Sequence, residues 1–317
     1  MAGMIERVDD AINHPIGKVT DAVIRWWYST EPKDGQQLPQ RVSALLSDVM
    51  KGANANLIHG RILIASQAAS LFRADPSWVQ EHFIKRLDWG GDAEEAACIW
   101  EGFLWSPRGT RALITEIKPY LLDTAKHYQE LGSHASQYVG FLVDVVLEAR
   151  DLFQREELVS CLASLPQAGL EHAALMLVQH VARADDPASY WSNRAKPFVH
   201  EAWPRDGVKR SESVSNAFAR LCVLSGDAIA TALAELKIWL MPAQHPGTVY
   251  HELKESDLAV RHPSEVLELL DAVTANNALW VANDLHACLA KIENGDASLK
   301  SAAAFKRLEE IVRRSRM

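Results

Sequence analysis

The feature that most constrains this chain is a helical hydrophobic period that runs almost unbroken from end to end. In REELVSCLASL, Leu158, Cys161, Leu162 and Leu165 recur at the three- and four-residue spacing of one helix face. Val266, Leu267, Leu270 and Val273 do the same in HPSEVLELLDAV. Strict alternation is scarce, and the turn pairs Asn294-Gly295 and Asp206-Gly207 lie between helical segments, where no hairpin can use them. The fold class is all-α.

The period predicts segments at 15–29, 39–51, 57–73, 77–87, 93–105, 110–131, 135–153, 155–165, 168–184, 188–202, 212–225, 227–241, 264–275, 280–292 and 299–315. About fifteen helices with short links suggest antiparallel neighbours stacked in sequence. No fixed consensus repeats, so an irregular α-solenoid resembling HEAT repeats is expected, with an irregular helical bundle as the alternative. LIHGRILIASQAASLF is apolar on several sides and belongs in an inner layer. The longest stretch without periodicity, 241–263, divides a helical array at 1–240 from a three-helix block at 264–317. It reads as a loop or linker.

Four dipeptides punctuate this pattern. His14-Pro15, Asp75-Pro76, Asp186-Pro187 and His262-Pro263 each stand before a helical run. Proline suits the first helical position, and the residue before it takes the extended conformation of an N-cap. Asp92 and Glu95 match a capping box, and Glu156 and Glu157 complement a helix dipole.

Chemical signatures are missing: there is no phosphate-binding GxxxxGK[ST], no GxGxxG after a strand, no HExxH and no GxSxG. His200-Glu201 and His251-Glu252 begin like HExxH but lack its second histidine. His172 and His180 lie two turns apart on one helix, too far to share a metal. The group His245, His251, Glu252, Glu255 and His262 has zinc-ligand chemistry without diagnostic spacing. Cys98, Cys161, Cys222 and Cys288 sit singly in apolar helical stretches and read as free buried thiols. No metal, cofactor or catalytic residue is assigned.

A formal net charge of −8 gives no global field for nucleic acid or anionic lipid. The carboxyl-terminal helix bears Lys300, Lys306, Arg307, Arg313, Arg314 and Arg316, which read as a solvated, dipole-complementing end. No signal peptide or membrane-length apolar run is present, and the setting is read as cytoplasmic.

Ten tryptophans are many for 317 residues. Most fit core positions. Trp26 and Trp27 are adjacent, so their side chains point about 100° apart and both can be buried only if the helix is widely covered. A solenoid's first helix should carry a polar outer face, and one ending IRWWYS does not. Trp26, Trp27 and Tyr28 are therefore the candidate interaction residues. The expectation is that a preceding domain belongs here.

HPIGKVTDAVIRWW at the start and HPSEVLELLDAVTANNALWVANDLHACLAKIENGDASLKSAAAFKRLEEIVRR at the end resemble the helical carboxyl-terminal region found behind sirtuin-type domains in bacterial anti-phage defence proteins. The resemblance rests on apolar patterning and prolines, and it carries over no catalytic residue. It implies a non-catalytic interaction or regulatory module, the sensor or assembly part of a protein whose NAD-consuming sirtuin-like domain lies upstream or on a partner. A phage protein is a further implied partner. Two other readings are a helical enzyme with a metal or acid–base site in 241–263, and a nucleic-acid-binding solenoid using Arg313, Arg314 and Arg316.

Overall fold

The computed structural model describes residues 7–205, 209–244, 246–276 and 282–315. Their regular secondary structure is all helix, with no strand among them; one isolated parallel bridge joins Ala243 and Thr274. The chain divides into two compact units, Met1–Ser164 and Leu165–Met317.

The first unit is organised around the helix Ile58–Ser66, which packs on Arg7–Asn13, Pro15–Tyr28 and Ala93–Leu104. Its Ile62, Leu63, Ile64 and Ala65 are all buried, as the all-round apolar pattern requires. Glycine allows the close crossings. A Cβ on Gly60 would stand 2.7 Å from Val49 Cγ1 and 2.8 Å from Thr20 Oγ1. One on Gly102 would stand 2.3 Å from the Ile62 carbonyl oxygen and 3.0 Å from Ala65 Cβ.

Polar side chains then fix the surrounding helices. Arg61 donates to the Val49 carbonyl at 3.0 Å and to Glu95 at 2.6 Å, and Arg86 reaches the same Glu95 oxygen at 2.5 Å. Glu95 thus serves two guanidinium groups and does not close the expected capping box, although Asp92 accepts from both Glu94 N and Glu95 N. The outer helices Arg111–Asp123, Ala135–Glu148 and Arg155–Ser164 are joined by Lys118–Glu157 at 2.8 Å and by Tyr138 Oη donating to the Leu121 carbonyl at 2.8 Å.

The second unit centres on Glu212–Leu224, packed against Gln167–Arg183, Ile229–Leu236 and Gly247–Glu255. Trp203, Phe218 and Trp239 form a buried aromatic group, with Phe218 4.8 Å from Trp203 and 5.5 Å from Trp239 between ring centroids. Among the described residues no single helix is long and apolar enough to cross a membrane. The apolar pair Glu212–Leu224 and Gly226–Trp239 is bent by 119°, and its Phe218, Leu221, Cys222 and Leu233 are buried in this unit.

Several expectations are corrected. The division into compact units falls between Ser164 and Leu165, where the sequence expectation placed one after residue 240. The stretch 241–263 is no linker: it holds the helices Gly247–Glu255 and Leu258–Arg261. Val249, Tyr250, Leu253 and Leu258 are buried, Tyr250 Oη meets Thr274 Oγ1 at 2.7 Å, and Lys291 donates to the Ser256 carbonyl at 2.6 Å. These helices are too short for a sequence window to show a period. The segment 57–73 breaks at Gln67, and a helix at Arg7–Asn13 precedes the one expected to be first. His14, Asp75 and Asp186 cap as expected, accepting from Ile16 N, Trp78 N and Ser189 N. His262 does not; its Nε2 faces Asp227 at 2.9 Å instead. Asp206-Gly207 and Trp280 lie outside the described residues.

Gly102→Ala should destabilise the protein by about 1–3 kcal/mol, because the added methyl meets backbone that cannot step aside. Gly91→Ala, whose Cβ would come no nearer than 3.7 Å to the Asp88 oxygen, is the control. Thermal unfolding of the two variants beside the parent checks this; equal midpoints for all three would contradict the close-crossing account.

Candidate functional site

The helix Pro15–Tyr28 carries the most exposed apolar surface in the first unit. Its amino end is set by His14, whose extended backbone and Nδ1 acceptor hold the Ile16 N–H at 3.2 Å. Ile24 and Trp27 turn inward and are buried, while Val19 and Trp26 remain 57% and 59% exposed. Residues seven apart lie two turns along one face, so Val19 and Trp26 form a single stripe about 10 Å long. Pro15 and Val19 also border an apolar groove of about 310 Å³, walled by Ile16, Leu45, Val49 and Leu57. The exposed carboxylate of Asp48 stands at its edge and has no ion-pair partner among the described residues.

The three residues singled out from the sequence separate here. Trp26 is exposed on the stripe. Trp27 is 1% exposed within this unit, its ring edge-on to Tyr28 at 5.1 Å, so it is a core residue and not an anchor. Tyr28 is partly buried. The helix Arg7–Asn13, packed on both Pro15–Tyr28 and Ile58–Ser66, supplies part of the cover that the sequence pattern did not reveal.

The proposed metal group does not assemble, and no cluster of three metal-ligating side chains occurs among the described residues. Glu252 accepts from Arg220, His262 faces Asp227, and His251 is 3.9 Å from Asp284. His245 lies outside the described residues. All four cysteines are free and buried. Burial pushes their thiols up, Cys98 to about 11 and Cys161 and Cys288 to about 12, with Cys222 shifted the same way. Arg313 and Arg314 both pair with Glu310, and Arg307 pairs with Asp271 at 2.7 Å. Arg316 lies outside the described residues. Among the described residues seven tryptophans are buried: Trp27, Trp78, Trp89, Trp100, Trp191, Trp203 and Trp239.

One polar cluster escaped the sequence reading. Glu101 and His134 are buried, with His134 Nδ1 3.5 Å from Glu101 Oε1 and Arg7 Nη1 3.1 Å from Glu101 Oε2. His134 also lines a small cleft with Trp105, Ser133 and Gln137. Ser133 Oγ approaches the same His134 nitrogen, at 3.3 Å. A nucleophile-activating triad needs the acid and the hydroxyl on opposite ring nitrogens, so this arrangement is a tether for the helix Arg7–Asn13 rather than a relay. No short motif marks it, because its members come from distant parts of the chain.

No family model, curated protein or solved structure matches the chain.

A histidine packed on the cap of the exposed helix makes stability depend on pH. The His14 and His59 rings stack with centroids 4.0 Å apart, and His59 Nδ1 is buried without a hydrogen-bond partner. Burial lowers the His59 pKa from 6.5, and the charge of a protonated His14 lowers it further. The unfolded imidazole then binds its proton at higher pH than the folded one, so this stability is full above about 6.5 and declines as pH falls. His59→Gln should lose less thermal stability than the parent between neutral pH and pH about 5. Parallel curves for the two proteins would contradict the assignment.

Proposed function

We propose that this chain is a non-catalytic helical interaction and regulatory module, arranged as an irregular HEAT-like array. In this reading it is the cytoplasmic sensor or assembly part of a bacterial anti-phage defence protein with a sirtuin-like NADase domain. The observation that carries the interaction reading is the stripe of Val19 and Trp26 beside an apolar groove. The defence setting rests on the resemblance of the two chain ends alone.

The occupant that best suits this surface is an amphipathic helix of the effector with basic flanks. Two anchors separated by two turns match the i and i+7 positions of such a helix, and a groove of this size takes one large apolar side chain. The Asp48 carboxylate at the rim and the net charge of −8 favour cationic residues beside the anchors. Trp26 has the size and rigidity of an interface hot spot, at low conformational cost.

Binding of a purified sirtuin-type effector domain to the chain tests this reading. Trp26→Ala combined with Val19→Ser should weaken association by about 30-fold or more, which is roughly 2 kcal/mol. Stability should change by no more than about 0.5 kcal/mol, since both side chains are exposed. An affinity the double variant leaves unchanged would refute the docking surface.

A further inference from the structure

The pair of Glu101 and His134 leaves one ring nitrogen unused. His134 Nδ1 faces the Glu101 carboxylate at 3.5 Å and the Ser133 hydroxyl at 3.3 Å. A carboxylate can only accept, so the neutral imidazole carries its proton on Nδ1 and presents Nε2 as a bare acceptor. Nε2 has no hydrogen-bond partner in the chain, yet it is not sealed from solvent. The side chain is only 5% exposed, so that opening is the cleft of about 250 Å³ that His134 lines. Polar atoms this deep in a fold are normally paired.

The other walls of the cleft complement this acceptor. Glu101 and Trp105 stand four residues apart at the end of the helix Ala93–Leu104. His134 and Gln137 stand three apart at the start of Ala135–Glu148, so each pair shares a face. Trp105 is 48% exposed, with its ring centroid 6.4 Å from that of His134, and it offers an aromatic face. Gln137 Oε1 accepts from Ser136 Oγ at 3.0 Å, and Gln137 makes no other hydrogen bond, so its amide N–H groups are left to donate. An acceptor and a donor therefore stand on one helix face beside an aromatic wall. Charge is already balanced: Arg7 pairs with Glu101 at 3.1 Å, and the cleft calls for no ion.

We propose that this cleft binds a neutral planar ring containing a cyclic amide or imide. Its N–H donates to His134 Nε2, its carbonyl accepts from the Gln137 amide, and its face lies on Trp105. Adjacent N–H and C=O groups on one ring edge match the acceptor and donor of the wall, and a flat ring stacks on an indole without an ionic contact. This site shares no residue with the docking surface proposed above, and either can fail alone.

Titration calorimetry of the full chain with uracil near neutral pH is the test. The control is 1,3-dimethyluracil, whose methyl groups replace both N–H donors. The expected result is saturable binding of one uracil per chain, about tenfold or more tighter than the control and than methyl glucoside. Trp105→Ala and Gln137→Leu should each weaken binding about tenfold with little change in thermal midpoint, because neither side chain is buried. Nitrogen NMR of the parent protein reads His134 directly and needs no variant to fold: the Nε2 resonance should move on addition of uracil. Heats that do not saturate, equal affinity for either control, binding retained in Trp105→Ala, or an Nε2 resonance that uracil leaves unmoved would each overturn the proposal.

Discussion

The first unit depends on how closely other helices approach Ile58–Ser66. At Gly102 the absent side chain brings Ala93–Leu104 within reach of the Ile62 carbonyl, and at Gly60 it admits Thr20 and Val49. Close crossings bring many atoms into dispersion contact and exclude water from the whole seam. They also determine where Pro15–Tyr28 lies. With Thr20, Ile24 and Trp27 committed to the seam, the face bearing Val19 and Trp26 can only point outward. The exposed stripe is thus a geometric consequence of the same packing that buries its neighbours.

Polar groups secure this arrangement at its edges. Glu101, the one buried carboxylate-bearing residue among those described, is held by Arg7 and His134 and so ties Arg7–Asn13 to the helix it covers. Losing one member of such a set leaves the others uncompensated in a medium that solvates charge poorly. Arg61 and Arg86 act similarly on Glu95 and on the Val49 and Met50 carbonyls in the last turn of the helix Gln40–Lys51. The second unit relies less on charge and more on Ser215, whose hydroxyl both donates to the Met241 carbonyl and accepts from its N–H at 2.8 Å. That pair anchors the chain where the sequence pattern lapses.

What was legible in the sequence follows from the range of the forces involved. Caps act within three residues, so His14, Asp75, Asp92 and Asp186 could be read directly. Long amphipathic helices could be read because several turns repeat one pattern. The inner position of Ile58–Ser66 followed from its lack of a polar face. Glu95 deceived because two distant arginines outcompeted a local contact, and His262 because Asp227 took its ring. Arg7–Asn13, Gly247–Glu255 and Leu258–Arg261 are shorter than the window in which a period emerges, so tertiary packing and not propensity makes them helices. For the adjacent tryptophans, the 100° rule said that one of them needed unusual cover. It could not say that Trp27 would obtain it and Trp26 would not.

An exposed apolar side chain and an unpaired buried acceptor differ in what they cost the fold. Leaving Trp26 mostly in water forgoes roughly 3 kcal/mol of apolar burial. A buried acceptor without a donor, such as Asn216 Oδ1, costs about 1–3 kcal/mol. Neither is alone in its unit: Trp105 is also largely exposed in the first, and the buried Trp191 ring N–H lacks an acceptor in the second. The unpaired acceptor's cost is a sizeable part of the roughly 5–15 kcal/mol net stability typical of a folded domain. Trp26 differs: it is exposed in the folded and the unfolded chain alike, so replacing it changes stability little. The burial it forgoes in the free protein is instead open to a partner that covers the stripe, which places the gain in binding and not in folding.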